Sequence, residues 1–168
     1  MIENVVCLTG HRPKNLPWGY DESKESCLNF KKEIKLLFEE LIKKGKNCFL
    51  SGMAEGFDMI ALDVLIELKD MFSNINIIAV VPCCNQEVLW SKYQQNRYKN
   101  LLLKCDKQIV LSDVYTKKCM FERNRYMIES ASTVVACYNG MGGGTRNTIR
   151  LAQKYNRKVY IVNPNRYV

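Results

Sequence analysis

Four short stretches of this chain bring together groups suited to holding an anion. The richest is Tyr138-Asn139-Gly140-Met141-Gly142-Gly143-Gly144-Thr145-Arg146-Asn147-Thr148, with four glycines in five residues. Glycine lets backbone N–H groups approach a phosphate closely. An apolar run, Thr133–Cys137, precedes this stretch, and a helical pattern, Ile149–Tyr155, follows it. Strand, glycine loop and helix start together supply unpaired N–H groups and the positive end of a helix dipole. The spacing is neither a Walker A loop, since no Lys-Ser/Thr pair follows the glycines, nor GxGxxG. An ATPase and a standard dinucleotide dehydrogenase are therefore not indicated.

The second stretch is Thr9-Gly10-His11-Arg12-Pro13, where a basic and an imidazole side chain follow the apolar run Val5–Leu8. The third is Ser51-Gly52-Met53-Ala54-Glu55-Gly56-Phe57-Asp58. Its Asp58 either caps the following helix or accepts from a ribose hydroxyl. The fourth is Arg123-Asn124-Arg125, a concentration of donors in which Arg suits forked phosphate contacts and Arg125 is equally a surface residue.

The elements that must carry these stretches are legible from periodicity. Apolar runs at Val5–Leu8, Asn47–Leu50, Ile75–Val81, Gln108–Leu111, Thr133–Cys137 and Val159–Val162 predict six strands. Helical patterns are predicted over Ser23–Lys43, from Asp58 to about Lys69, Gln86–Lys104, Cys119 to about Ala131, and Ile149–Tyr155. In the first helix Cys27, Phe30, Ile34, Leu37, Phe38 and Leu41 recur at steps of three and four, with Asp21 or Ser23 as the expected cap and Gly45 as the stop. Strands alternating with helices imply an α/β, doubly wound, mostly parallel sheet of about six strands with helices on both faces. In such sheets ligands bind beyond the carboxyl ends of the strands. Three of the four stretches follow strands, so they are expected to converge on one edge.

Composition narrows the partners. The 168 residues suit a single domain, 1–168, with a sizeable core. No apolar run approaches ~18 residues and the start resembles no signal peptide, so a cytoplasmic protein with no membrane partner is expected. Eight cysteines then read as reduced thiols; with no C-x-x-C pair and one histidine, no metal site is expected, and no cofactor. Adjacent Cys83 and Cys84 are either reactive or ordinary loop cysteines. The net charge of +8 favours anionic partners, although Lys31, Lys32, Lys35, Lys43 and Lys44 fit a solvated helix face. Trp18 and Tyr20 either stack on a base or pack their loop onto the body. Trp90, Tyr93 and Tyr98 interleave with Lys92, Arg97 and Lys99, a pattern that fits inward packing better than nucleic-acid binding.

Taken together, Thr9-Gly10-His11-Arg12-Pro13, Ser51-Gly52-Met53-Ala54, Arg123-Asn124 with Met127, and Gly143-Gly144-Thr145 with Thr148 resemble the YpsA/YoqJ-like branch of the SLOG superfamily. The resemblance runs in order over most of the chain. It implies a Rossmann-like domain that binds a nucleotide or nucleotide-derived ligand, such as an ADP-ribose-like or cyclic nucleotide signal, for sensing or sequestration. It also implies a homo-oligomer, a dimer or larger. The ligand-binding residues so implied are Thr9, Gly10, His11, Arg12, Gly52, Met53, Gly56, Asp58, Arg123, Asn124, Gly142, Gly143, Gly144 and Thr145. The superfamily also contains LOG-type phosphoribohydrolases and the DNA-processing protein DprA, so N-glycosidic hydrolysis and single-stranded DNA binding stand as alternatives. The LOG enzymes carry Pro-Gly-Gly-x-Gly-Thr-x-x-Glu; aligning Gly144-Thr145 with its Gly-Thr puts Thr148 where the catalytic Glu stands. A hydroxyl is a poor replacement for that carboxylate, and only Asp58 or Glu55 could supply one from the third stretch.

Overall fold

The computed structural model describes residues 2–167; Met1 and Val168, the ends of the expected 1–168 domain, lie outside the described residues. The chain alternates strand and helix: β1 (Val5–Gly10), α1 (Glu25–Lys43), β2 (Cys48–Ser51), α2 (Phe57–Lys69), β3 (Asn76–Val81), α3 (Lys92–Lys104), β4 (Lys107–Val110), α4 (Cys119–Glu129), β5 (Thr133–Cys137), α5 (Gly144–Lys154) and β6 (Lys158–Val162). Short 3-10 turns occupy Pro13–Asn15 and Pro164–Tyr167.

The six strands form one sheet in the order β4-β3-β2-β1-β5-β6, and every pairing is parallel. The order reverses between β1 and β5, which leaves a crevice beyond their carboxyl ends. β5 is buried along its whole length, as a central parallel strand covered on both faces must be. α1, α2 and α3 cover one face over a core that includes Phe30, Phe38, Phe49 and Phe57. α4 and α5 cover the other, over Cys7, Leu50, Val80, Met127 and Val134. Each fully buried Phe of the larger core contributes about 1.5–3 kcal/mol of transfer free energy, which fixes the sheet as a rigid platform for its edge loops.

Helix starts depart from the sequence reading where side-chain chemistry competes with periodicity. Asp21 does not cap α1; its carboxylate accepts from the Ser23 N–H at 3.1 Å and the Ser23 hydroxyl at 2.5 Å, closing a turn ahead of the helix. α3 starts at Lys92 rather than Gln86, because the Ser91 Oγ accepts from the Gln94 N–H (3.2 Å) and caps it there. α5 starts five residues earlier than its apolar pattern, with Gly144 already in the helix. The glycine-rich stretch thus runs directly into the helix that it was expected to precede.

Candidate functional site

β1 ends in Gly10, and the chain continues its ladder for one more step: the His11 N–H donates to the Cys137 carbonyl at 3.1 Å. His11 is buried. Its Nε2 lies 2.7 Å from the Asn139 Oδ1 and 3.1 Å from the Asn139 backbone nitrogen. The same Oδ1 accepts from the Met141 N–H at 3.1 Å. The ring therefore ties the β1 loop to the β5 loop. Burial holds the His11 imidazole below its ordinary pKa, partly offset by the Asn139 contact. Arg12 follows, half-buried, and among the described residues no carboxylate lies within ion-pair distance of it.

The loop after β2 is shaped by what packs onto it. The Arg123 side chain enters from α4 and donates to the Gly52 carbonyl. A Cβ at residue 52 would overlap the guanidinium, so any side chain there would displace Arg123 from this seat. Met53, at φ 57°, is fully buried in the core. Gly56 lies against the His11 and Arg12 backbone. Asp58 is buried one residue inside α2, and its Oδ2 accepts from the Ala54 N–H at 3.1 Å. It therefore holds the loop rather than capping the helix. Burial raises the Asp58 pKa above the ordinary carboxyl value, against the opposing pull of Arg123 and Arg12. Burial likewise lowers Arg123, which Asp58 opposes and Arg12 reinforces; a guanidinium nonetheless stays charged.

α4 connects the second loop to α5 through a chain of hydrogen bonds. The Arg123 Nε donates to the Asn124 Oδ1 (2.7 Å), the Asn124 Nδ2 to the Thr148 Oγ1 (3.1 Å), and the Thr148 hydroxyl to the Gly144 carbonyl (3.0 Å). Thr148 is thus a brace for the first turn of α5. That turn has no side-chain cap, and its first intrahelical bond runs from the Asn147 N–H to the Gly143 carbonyl. The N–H groups of Gly144, Thr145 and Arg146 are left for another acceptor. Gly143, at φ 131°, adopts a backbone that other residues reach only under strain.

These parts enclose a cavity of about 370 Å³ at the β1/β5 crevice, within the usual range of ligand pockets. Thr9, Gly10, His11 and Arg12 line it from β1, and Gly142 to Thr145 from the start of α5. Asp58, Arg123 and Asn124 also line it. The structure does not bring Gly52, Met53 or Gly56 to the cavity; they shape the loop behind it, and Ala54 takes the wall position. Lys14 and Asn15 also line the cavity and were missed, although they directly continue the Thr9–Pro13 cluster. Met120 was missed too; one turn before Asn124, it was reachable from the helical period alone.

Other candidates fall away from the cavity. Trp18 is buried against Phe30, with ring centroids 5.1 Å apart, and offers no face to a base. Glu55 faces Tyr20, 3.3 Å from its hydroxyl. Arg125 pairs with Glu129 on the surface at 2.8 Å. Tyr98 packs inward against Trp90 and Arg97 pairs with Glu22 and Asp63, whereas Tyr93 is exposed. Cys83 is buried and Cys84 exposed, and all eight cysteines are free. Among the described residues no cluster of potential metal ligands occurs, and no helix is long and apolar enough to cross a membrane.

Comparison with known proteins places the chain in a family and supports its fold. The profile of the YspA SLOG family matches residues 6–163. The SPbeta prophage-derived protein YoqJ of Bacillus subtilis (strain 168) is 31% identical over 140 residues, covering 76% of this chain and 82% of that protein. A UPF0398 protein of Bacillus licheniformis is 25% identical over 138 residues, covering 80% and 74%. Among solved structures, DNA processing protein A from Helicobacter pylori, described with a single-stranded DNA binding mode, superposes with a TM-score of 0.60 at 21% identity. DprA from Streptococcus pneumoniae superposes at 0.59 with 22% identity. These two likenesses cover 94% and 93% of this chain but only 64% and 49% of the larger proteins, and at such identity they speak to fold alone. The chain belongs to the YspA SLOG family.

Proposed function

We propose that this SLOG-family chain binds a nucleotide or nucleotide-derived ligand in the β1/β5 crevice, to sense or sequester it. The observation that carries this reading is the convergence, on one cavity, of an uncapped helix start and two guanidiniums, Arg12 and Arg123, that face a single carboxyl, Asp58, and form no ion pair among the described residues. In the proposed pose the phosphate sits on the N–H groups of Gly144 and Thr145, with Arg12 and Arg123 supplying charge. Arg123 and Arg12 repel each other across the cavity, a repulsion that an anion between them would relieve. Asp58 faces the sugar as an acceptor for a ribose hydroxyl. His11, already engaged by Asn139, sets the position of the glycine loop. Thr148 offers no free carboxylate-like group, since its hydroxyl is committed to the Gly144 carbonyl. That favours retention of the ligand over cleavage.

Retention measured by ultrafiltration and mass spectrometry tests this directly, with AMP, ADP-ribose, cyclic ADP-ribose and NAD as probes. Intact retention of one compound is the expected result. Release of base and ribose phosphate would instead make the chain a hydrolase, with Asp58 as the one carboxyl lining the cavity among the described residues. Retention of none of the four would refute the reading.

Single-stranded DNA binding is the second reading. Its support is the fold shared with DprA together with the +8 charge. It predicts oligonucleotide affinity that falls steeply with salt. Weak binding independent of oligonucleotide length would eliminate it.

A further inference from the structure

A second depression adjoins the phosphate cavity. Leu16, Pro17 and Met141 give it an apolar surface, and Asn165 stands at its edge. Lys14 and Asn15 line both spaces, so the two are neighbours across one short wall. We propose that this shelf receives the nucleobase of a two-ended ligand, while the cavity holds a sugar phosphate at the other end. The inference rests on the phosphate-site reading above.

Three observations support it. The first is size and polarity: about 370 Å³ suits a sugar phosphate, and cations, glycine N–H groups and the Asp58 carboxyl dominate the cavity lining, with Leu8, Ala54 and Met120 as its apolar members, whereas Leu16, Pro17 and Met141 make the shelf predominantly apolar. The second is placement. Met141 is 56% exposed, yet its backbone is held, because its N–H donates to the same Asn139 oxygen that contacts His11. A thioether on that held backbone, lining the same depression as Pro17, makes an adaptable apolar platform for a flat ring. The third is unused polarity: the side-chain amides of Asn15 and Asn165 have no hydrogen-bond partner among the described residues, and both border the shelf. A carboxamide can donate to and accept from a base edge. Lys14, exposed and without an ion-pair partner among the described residues, stands at the wall, where a pyrophosphate linking the two ends would cross.

The test uses a matched pair of probes, ribose 5-phosphate and ADP-ribose, which share one end and differ by the adenylate. Affinities are measured by calorimetry on wild-type protein and on Met141→Ala, with Asn165→Ala as a second variant at an exposed position. Wild type is expected to hold ADP-ribose at least tenfold tighter than ribose 5-phosphate. Met141→Ala should lose most of that advantage and leave ribose 5-phosphate affinity unchanged, and Asn165→Ala should act in the same direction. Equal wild-type affinities for the two probes would overturn the shelf while leaving the phosphate site standing. So would an unchanged ADP-ribose affinity in both variants, or an equal loss of both probes in Met141→Ala. Failure of wild type to bind either probe would remove the phosphate site and the shelf with it.

Discussion

Replacing Gly144 by Asp should move stability and ligand affinity in opposite directions. Gly144 is the first residue of α5, its φ is not in the left-handed region, and a Cβ there meets nothing within 4 Å. The new side chain therefore fits without strain. A carboxylate in the first turn of a helix is favourable by about 0.3–1 kcal/mol, and removing glycine's backbone freedom adds about 0.4–1 kcal/mol. For a chain of this size each kcal/mol shifts the midpoint by roughly 2–4 °C, so thermal unfolding should rise by about 1.5–8 °C. The same carboxylate competes for the N–H groups proposed to hold phosphate. For a unit negative charge about 5 Å from it, at an effective dielectric of about 20, the repulsion is about 3 kcal/mol. That is roughly a 100-fold loss of affinity, less at high salt. Differential scanning calorimetry and isothermal titration with the retained nucleotide measure both quantities. A variant that is stabilised and binds as well as wild type would refute the α5 phosphate cradle. A variant that is destabilised would refute the assignment of an open, unstrained helix start.

Gly52→Ala should expel the Arg123 guanidinium from its seat and lower stability by about 2–3 kcal/mol, because a buried cation loses its carbonyl partner; an unchanged melting temperature would contradict the packing described. His11 is the only histidine, and burial lowers its pKa from 6.5. The unfolded chain then binds more protons below that value, so stability should fall as pH drops through about 6.5, and His11→Gln should flatten this slope in denaturant titrations. Asp58 has the opposite sign. Its folded pKa is raised above 3.8, so the folded state holds the extra proton, and stability is lost as pH rises from 3.8 through the raised value. Asp58→Asn keeps an acceptor for the Ala54 N–H and lacks this slope. Its unfolding midpoint should gain on wild type as pH rises, and a gap that is constant with pH would argue against a buried carboxylate.

The sequence by itself determined the order of elements, the parallel sheet and the edge on which the glycine and polar loops gather. These follow from local periodicity and from the alternation of strand and helix, which a chain of this length can satisfy in few ways. It also identified Thr9 to Arg12, Asp58, Arg123, Asn124 and Gly142 to Thr145, all of which line one cavity. Tertiary structure alone decided which of the marked residues face that cavity and which support it. Gly52, Met53 and Gly56 carry the same motif as Asp58 but lie behind the loop, because Arg123, 71 residues away in sequence from Gly52, fills the space that a side chain at residue 52 would take. His11 and Asn139, 128 residues apart, meet only because β1 and β5 are neighbours in the sheet. The resemblance put Thr148 where LOG enzymes carry a Glu, but its bracing of the Gly144 carbonyl, with Asn124 donating to the same hydroxyl, was not legible. Local sequence records what a segment prefers; what presses on it from a distant element is set only when the strands pair.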